Sequence, residues 1–274
     1  MLNFIVNPKK CVKCKQCIID CPSNIISFGK KLPYISNDNK KACIKCQHCL
    51  AICPTGALSI LHVDPKNCDN LKNNLPEYDK LEILAKGRRS TRRYKNENIK
   101  EEDINRLLKA ALHAPTGNNA MKVNFSVIDD KNIMSKYRNE VYNGIKKAVD
   151  SNNLPIGMEF FEGIANKWFL EKNDIIFRNA PHMVISSAPK ECPTPEVDAI
   201  IALSYFDLLA SAMKLGTLWC GLGKWAIEDV VPEMRTKLGI PEDHKIGYIM
   251  IFGKPAVKYY RTVQRETSNI NKIV

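Results

Sequence analysis

Eight cysteines in two similar runs carry the clearest chemical signal in this 274-residue chain. Each run reads CxxCxxCxxxCP, with Pro22 closing the first and Pro54 the second. This doubled spacing is typical of two 4Fe-4S clusters, in which three thiolates of one run bind a cluster and the fourth binds the other cluster. The expected ligand sets are Cys11, Cys14, Cys17 and Cys53 for one cluster, and Cys43, Cys46, Cys49 and Cys21 for the other.

Zinc is the alternative metal for a cysteine-rich segment. Structural zinc sites usually combine two CxxC pairs, or one such pair with two histidines. Each run here contains a third cysteine at the same step and then a proline. The spacing therefore favours iron–sulfur clusters over zinc.

The first 60 residues resemble the two-cluster bacterial ferredoxins, through both cysteine runs and the IISFG and ALSI stretches that follow them. A ferredoxin of this kind would be complete by residue 63, which leaves about 200 residues for a second domain with its own core. Residues 64–80 are rich in Asn, Asp, Lys and Pro and lack sustained periodicity. We therefore expect a ferredoxin domain at 1–63, a linker at 64–80 and a second domain at 81–274.

The remaining cysteines, Cys68, Cys192 and Cys220, are scattered and suggest no disulfide framework. The start of the chain does not show the basic, apolar and small-residue sections of a signal peptide. The longest apolar stretch, 199–219, contains Asp207 and Lys214 and is interpreted as a buried helix. We expect a soluble, cytoplasmic protein with no membrane partner.

The formal charge of the chain is +12, and the first domain is strongly basic. Residues 1–63 contain nine lysines against only Asp20 and Asp38. Opposite charge raises the encounter rate of redox proteins, so an acidic ferredoxin or flavodoxin is the hypothesised electron donor. The alternative is a basic charge without a specific partner.

Hydrophobic periodicity and turn residues predict mixed secondary structure in the second domain. A short helix is expected at 81–86, and a second helix is expected to begin at a capping box formed by Asn98 and Glu101. Strands are expected at 123–128, 182–188 and 248–253, and a nearly all-apolar helix at 198–214 is expected to be capped by Gly216. This mixture indicates an α+β fold with a mixed or antiparallel central sheet flanked by helices.

The basic stretch GRRSTRRY at 87–94 has two interpretations: its arginines bind a phosphate, or they form a solvated or nucleic-acid-binding surface. The first gains support from APTGNN at 114–119 and GTLWCGLG at 216–223. Together these motifs resemble the nitroreductase family of FMN proteins, over residues 81 to about 265. The resemblance implies an FMN cofactor, a homodimer that builds its flavin site from two subunits, and no nucleic-acid partner.

The resemblance also assigns roles to individual residues. Phosphate and ring contacts fall on Arg88, Arg89, Ser90 and Arg92, and a flavin contact falls on Asn119. The backbone amides of Gly221 and Leu222 match those that face the flavin ring. A basic residue near the end of the family's chains returns to the phosphate, for which Arg261 is the first candidate and Arg265 the second.

The expected function is that of an iron–sulfur flavoprotein oxidoreductase. Electrons would pass from the clusters to FMN and on to a small acceptor of the nitroaromatic, quinone or enone type. No Rossmann or P-loop motif is visible, but family members take hydride from NAD(P)H at the flavin itself, so NAD(P)H stays a candidate donor. Two alternatives remain open: an electron-transfer or redox-sensing module without a small substrate, and reverse flow from NAD(P)H to a ferredoxin.

Overall fold

A computed structural model describes residues 2–265 and 269–273 of the chain. The chain divides into two compact units. The first consists of Met1–Pro76 together with Asn118–Ala120, and the second of Glu77–Gly117 together with Met121–Val274. No helix in the described ranges is both long enough and apolar enough to cross a bilayer.

The first unit is built from short elements. Its strands and helices are β1 (Ile5–Val6), α1 (Gln16–Ile19), β2 (Ile26–Phe28), β3 (Pro33–Ile35), α2 (His48–Ala51) and β4 (Leu58–Ser59). Strand β1 pairs antiparallel with β4, and β2 pairs antiparallel with β3. The core is small and aliphatic, and includes Leu2, Ile25, Ile26, Ile35, Leu50, Leu58 and Ile60.

The two cysteine runs adopt the same backbone conformation. In the first run, Lys13 and Lys15 have left-handed φ angles of 58° and 61°. In the second run, Lys45 and Gln47 have φ angles of 59° and 61° at the corresponding positions. Non-glycine residues rarely adopt this conformation, so its repetition shows that each loop is bent in the same way to turn its cysteines inward.

The second unit contains a four-stranded antiparallel sheet in the order β5-β6-β8-β7. The strands are β5 (Asn124–Ile128), β6 (His182–Pro189), β7 (Gly216–Trp219) and β8 (His244–Gly253). The helices are α3 (Tyr78–Gly87), α4 (Glu101–Ala111), α5 (Lys131–Asp150), α6 (Phe160–Glu171), α7 (Pro195–Ala212), α8 (Gly221–Trp225) and α9 (Met234–Lys237). The α+β prediction with an antiparallel sheet and flanking helices is confirmed.

Both faces of the sheet are buried, because neighbouring residues of each strand point to opposite sides. On β6, Met183 and Ile185 pack into the core that contains α5 and α6. Val184 packs on the other side, with residues of α4 and α7 such as Leu107 and Phe206. The domain therefore has helical layers on both sides of one sheet.

Two details of the sequence prediction are wrong. Helix α4 begins after Lys100 without a side-chain cap, so Asn98 and Glu101 do not form a capping box. Asn98 instead serves the next helix, because its side chain accepts a hydrogen bond from Lys131 N at 2.8 Å and donates to Asp130 at 2.9 Å. Gly216 is not the cap of α7 either; it is the first residue of β7, whereas the helix ends at Ala212 with Met213 as its cap.

Candidate functional site

The eight cysteines of the two runs separate into two groups of four, and each group lines its own cavity. One cavity is lined by Cys11, Cys14, Cys17 and Cys53. The other is lined by Cys21, Cys43, Cys46 and Cys49. The last cysteine of each run thus lies with the first three of the other run, as a crossed ligand pattern requires.

The thiol groups influence each other within these cavities. Burial, with further contributions from Cys46 and Cys43, raises the pKa of Cys49 to about 12. The pKa of Cys17 is also raised, by burial and then by Cys53 and Cys14. Thiolates packed this closely repel one another, so they need a positive centre between them.

The cysteine spacing suits a cluster better than a single ion. In the part of the chain that the structure describes, no three His, Cys, Asp or Glu side chains lie close enough to hold one metal ion. A 4Fe-4S cluster needs wider spacing, because each thiolate binds a different iron atom. Backbone donors also reach the sulfurs: Ala57 N donates to Cys53 Sγ at 3.2 Å, and Lys45 N to Cys43 Sγ at 3.4 Å. Such bonds stabilise negative sulfur and outweigh burial in lowering the pKa of Cys53.

The arginine segment of the second unit runs beside β7. Ser90 forms a parallel bridge with Thr217, and Thr91 N donates to Thr217 O at 2.8 Å. Gly216 leaves room for this contact, because a β-carbon there would lie 2.5 Å from the Thr91 hydroxyl. The motif that the sequence analysis selected for phosphate binding is therefore fixed by the strand that leads to GTLWCGLG.

A cavity of about 420 Å³ opens beside this segment. Its described lining carries the cationic side chains of Lys86, Arg88, Arg89 and Arg265 and no carboxylate. Arg88 Nη1 and Arg89 Nε are buried and lack hydrogen-bond partners among the described residues. Guanidinium groups with free donors suit a phosphate, which accepts several of them at once.

The other predicted phosphate contacts lie outside that lining. Arg261, the first candidate near the end of the chain, and Arg265 are both exposed, but Arg265 lines the cavity and Arg261 does not. Arg92 is also exposed, and its guanidinium donates to Ser90 O at 3.4 Å. The structure therefore groups Arg88 and Arg89 with Arg265 and does not group them with Arg261.

The Gly221–Leu222 pair begins helix α8, directly after β7. The first N–H groups of a helix have no partners within it, so the amides of both residues remain donors. Cys220 N donates to Ile249 O at 2.8 Å, which fixes the start of this turn on β8. Two backbone donors held in this way can stabilise negative charge on a bound ring.

Cys220 itself is a buried thiol rather than a nucleophile. Its Sγ donates to Ile176 O at 3.2 Å. Burial raises the pKa of this thiol to about 12, so it stays protonated at neutral pH.

Asn119 lies in a short 3-10 turn, Gly117–Asn119, with a left-handed φ of 52°. By its contacts it belongs to the first unit, where its side-chain amide donates to Ile44 O at 2.8 Å. Its flavin contact stays a prediction.

Sequence reasoning missed one charged residue of this region. Asp207 is buried in α7 and contacts both Arg88 and Trp219. A signal was available, since a carboxylate inside a nearly all-apolar helix must find hydrogen-bond donors or a counter-charge.

Two family models match separate parts of the chain. Residues 85–254, more than half of the chain, match the model of the Nitroreductase family. The chain belongs to the nitroreductase family. Residues 10–58 of this family member match the 4Fe-4S dicluster domain.

Individual relatives match part of the chain. The chain is 26% identical over 172 residues to a putative NADH dehydrogenase/NAD(P)H nitroreductase of Archaeoglobus fulgidus, covering 61% of this chain and 81% of the relative. It is 26% identical over 139 residues to an iodotyrosine deiodinase of Thermotoga neapolitana, covering 49% and 70%. The structure of a nitroreductase with bound FMN from Bacteroides fragilis superposes with a TM-score of 0.58 at 20% identity, covering 71% of this chain and 98% of that one. The last comparison shows a shared fold.

Proposed function

We propose that this protein is an iron–sulfur flavoprotein oxidoreductase that passes electrons from two 4Fe-4S clusters to FMN and then to a small electrophilic acceptor. The observation that carries the proposal is the separation of eight cysteines into two cavities, within a chain that belongs to the nitroreductase family. The acceptor class is a nitroaromatic, quinone or enone.

The cysteines provide the ligands for the clusters. Cys11, Cys14, Cys17 and Cys53 would hold one cluster, and Cys21, Cys43, Cys46 and Cys49 the other. Backbone hydrogen bonds to the sulfurs and partial burial of the cysteines would affect the reduction potential of each cluster. We assign the protein to the reducing cytoplasm, because Cys68, Cys192 and Cys220 are scattered and lack the paired spacing of a disulfide framework.

The second unit provides complementary groups for FMN. The cationic cavity of Arg88, Arg89 and Arg265 suits its phosphate, and the amides of Gly221 and Leu222 suit its ring. We assign ring or phosphate contacts also to Ser90, Arg92 and Asn119, on the match of their motifs to the family. When bound, the clusters supply single electrons and FMN accepts one or two, which converts one-electron supply into two-electron reduction.

The proposed donor is an acidic ferredoxin or flavodoxin, with NAD(P)H as the competing source. Nine lysines against two aspartates in residues 1–63 favour an acidic protein. The rate of reduction by such a donor should fall as salt rises, because screening weakens steering.

We also propose that the protein is a homodimer. Helix α7 is apolar nearly all round, yet Val197, Tyr205 and Leu208 are 53%, 41% and 41% exposed. A long apolar helix face that the chain itself leaves uncovered is suited to a second copy. Light scattering should give twice the mass of one chain, and Leu208→Glu should lower it, whereas Leu170→Glu, at another exposed leucine, should not.

The proposal is tested by the cofactor content of anaerobically purified protein. We expect about eight iron and eight sulfide per chain, together with one FMN. The variants Cys14→Ser and Cys46→Ser should each lose iron and keep FMN. Protein that contains zinc instead of iron, or that retains no flavin, would contradict the proposal.

A further inference from the structure

Asp207 is a buried carboxylate in the middle of an apolar helix. It is 5% exposed and lies on α7. Burying a carboxylate is unfavourable unless donors and a positive charge surround it. Three side chains meet this need: Thr217 Oγ1 donates at 2.5 Å, Trp219 Nε1 donates at 2.9 Å, and Arg88 Nε lies at 3.6 Å.

Two of these partners belong to β7. Thr217 and Trp219 are two residues apart, so both side chains project from the same face of the strand. Strand β7 leads directly into Gly221, whose amide is one of the predicted ring contacts. Asp207 therefore ties helix α7 to the strand that carries the ring-binding turn.

The third partner belongs to the arginine segment. A guanidinium group is planar and rigid, so an ion pair at 3.6 Å on its Nε side, although longer than a hydrogen bond, favours one direction for both Nη groups. Nη1 of Arg88 is buried without a partner among the described residues, and Arg88 lines the cationic cavity with Arg89 and Arg265. The ion pair with Asp207 thus uses one edge of the guanidinium and leaves the other available.

We propose that Asp207 is a positioning residue for flavin phosphate: it holds the guanidinium of Arg88 at the cationic cavity and joins that cavity to strand β7. The proposal rests on the proposed function, since it takes FMN as the ligand. It also specifies which part of the ligand depends on Asp207. The phosphate is expected to depend on the charge of Asp207 more than the ring does, because that charge faces Arg88.

The test compares FMN with riboflavin, which lacks the phosphate. Full-length protein with its clusters is freed of flavin by dialysis, and both ligands are titrated by flavin fluorescence. The readout is the ratio of the two dissociation constants. Wild-type protein should prefer FMN. Asp207→Asn should lose about tenfold of that preference, with a smaller change in riboflavin binding, because a charge-assisted contact to the phosphate is weakened.

A double-mutant cycle separates positioning from a merely structural role. Arg88→Gln should lose the same preference, and Asp207→Asn with Arg88→Gln should lose no more than either alone. The matched control is Asp198→Asn on the same helix, where the buried carboxylate accepts from Gly117 N at 2.9 Å and Thr194 Oγ1 at 2.8 Å. That variant should leave the ratio unchanged, since Asp198 has no arginine partner among the residues that the structure describes.

The titrations distinguish failure of the role of Asp207 from failure of the proposed function. If wild-type protein prefers FMN and Asp207→Asn keeps that preference, or if the losses of the two variants add, the role of Asp207 is overturned and the proposed function stands. If wild-type protein binds neither flavin, the proposed function fails and the role of Asp207 fails with it. If Asp207→Asn does not fold, Asp207→Glu replaces it, because this variant keeps the charge but displaces it by one methylene. Loss of the preference for FMN in Asp207→Glu would support the role of Asp207, and an unchanged preference would overturn it.

Discussion

The hydroxyl of Tyr248 lies 2.9 Å from the position that a β-carbon on Gly221 would occupy. Tyr248 is on β8, and its ring packs edge-on against Trp219 with the ring centroids 5.3 Å apart. Gly221 does not have a positive φ, so backbone conformation does not explain the glycine. The close approach of the Tyr248 hydroxyl explains why a glycine is needed at this position.

Gly221→Ala should therefore weaken FMN binding by roughly tenfold, because the added methyl group displaces either the turn or the tyrosine. Gly221→Ala with Tyr248→Phe should recover most of the loss, since the ring carbon beneath the hydroxyl is 4.0 Å from the new atom. Fluorescence titration with FMN measures both. Equal losses in the single and double variants would show that the hydroxyl is not the obstacle.

The crossed cysteine pattern predicts which substitutions affect the same cluster. Cys53→Ser should change the electron paramagnetic resonance signal that Cys14→Ser changes, since both line one cavity. Cys21→Ser should instead resemble Cys46→Ser. Spectra in which Cys53→Ser matches Cys46→Ser would mean that each run binds its own cluster.

The two arginines near the end of the chain form a matched pair. Arg265→Gln should lower FMN affinity by about tenfold through the lost phosphate contact, because Arg265 lines the cationic cavity. Arg261→Gln removes the same charge from a position that is also exposed but lies outside that lining, and should have little effect. If Arg261→Gln lowered FMN affinity and Arg265→Gln did not, Arg261 would be the phosphate ligand.

Acid should destabilise the second unit through His182. Burial lowers the pKa of this histidine from 6.5 to about 4, and its Nε2 accepts a hydrogen bond from Ile99 N at 3.0 Å. The unfolded chain binds the proton below pH 6.5 while the folded chain resists it until about pH 4, so stability falls as pH falls through this window.

At pH 5 the loss from this group amounts to about 2 kcal/mol relative to pH 7. His182→Gln cannot take up the proton and serves as the control. Thermal unfolding followed at both pH values should show a smaller acid shift in the variant than in wild-type protein. Equal shifts would assign the acid sensitivity to other groups.

Much of the fold could be predicted from local patterns. Strands β6 and β8 are apolar runs, and the prediction placed both, although β8 begins four residues earlier, at His244. Strand β7 was missed because it is only four residues long and begins with Gly216, which resembles a helix cap. Its position depends on pairing with β8 and on contact with Thr91, which are tertiary relationships.

The site shows the same limit. Cysteine spacing was enough to predict which four cysteines line each cavity, because the chemistry of a cluster restricts the sequence strongly. That each group of four binds a cluster stays a prediction. Arg265 and Arg261 are four residues apart in similar sequence, and only their placement relative to Arg88 separates them. Asp207 and its partners come from three separate segments of the chain, helix α7, strand β7 and the arginine segment, so no local pattern connects them.

The central claim concerns the direction of electron flow, and anaerobic stopped-flow spectroscopy tests it most directly. Oxidised protein would be mixed in turn with NADH, NADPH and a reduced acidic ferredoxin, and cluster and flavin absorbance would be followed separately. With ferredoxin, we expect cluster absorbance to fall before flavin absorbance, and Cys46→Ser to slow the second phase. Flavin bleaching by NAD(P)H that precedes cluster reduction would contradict the account and make the ferredoxin domain an electron outlet.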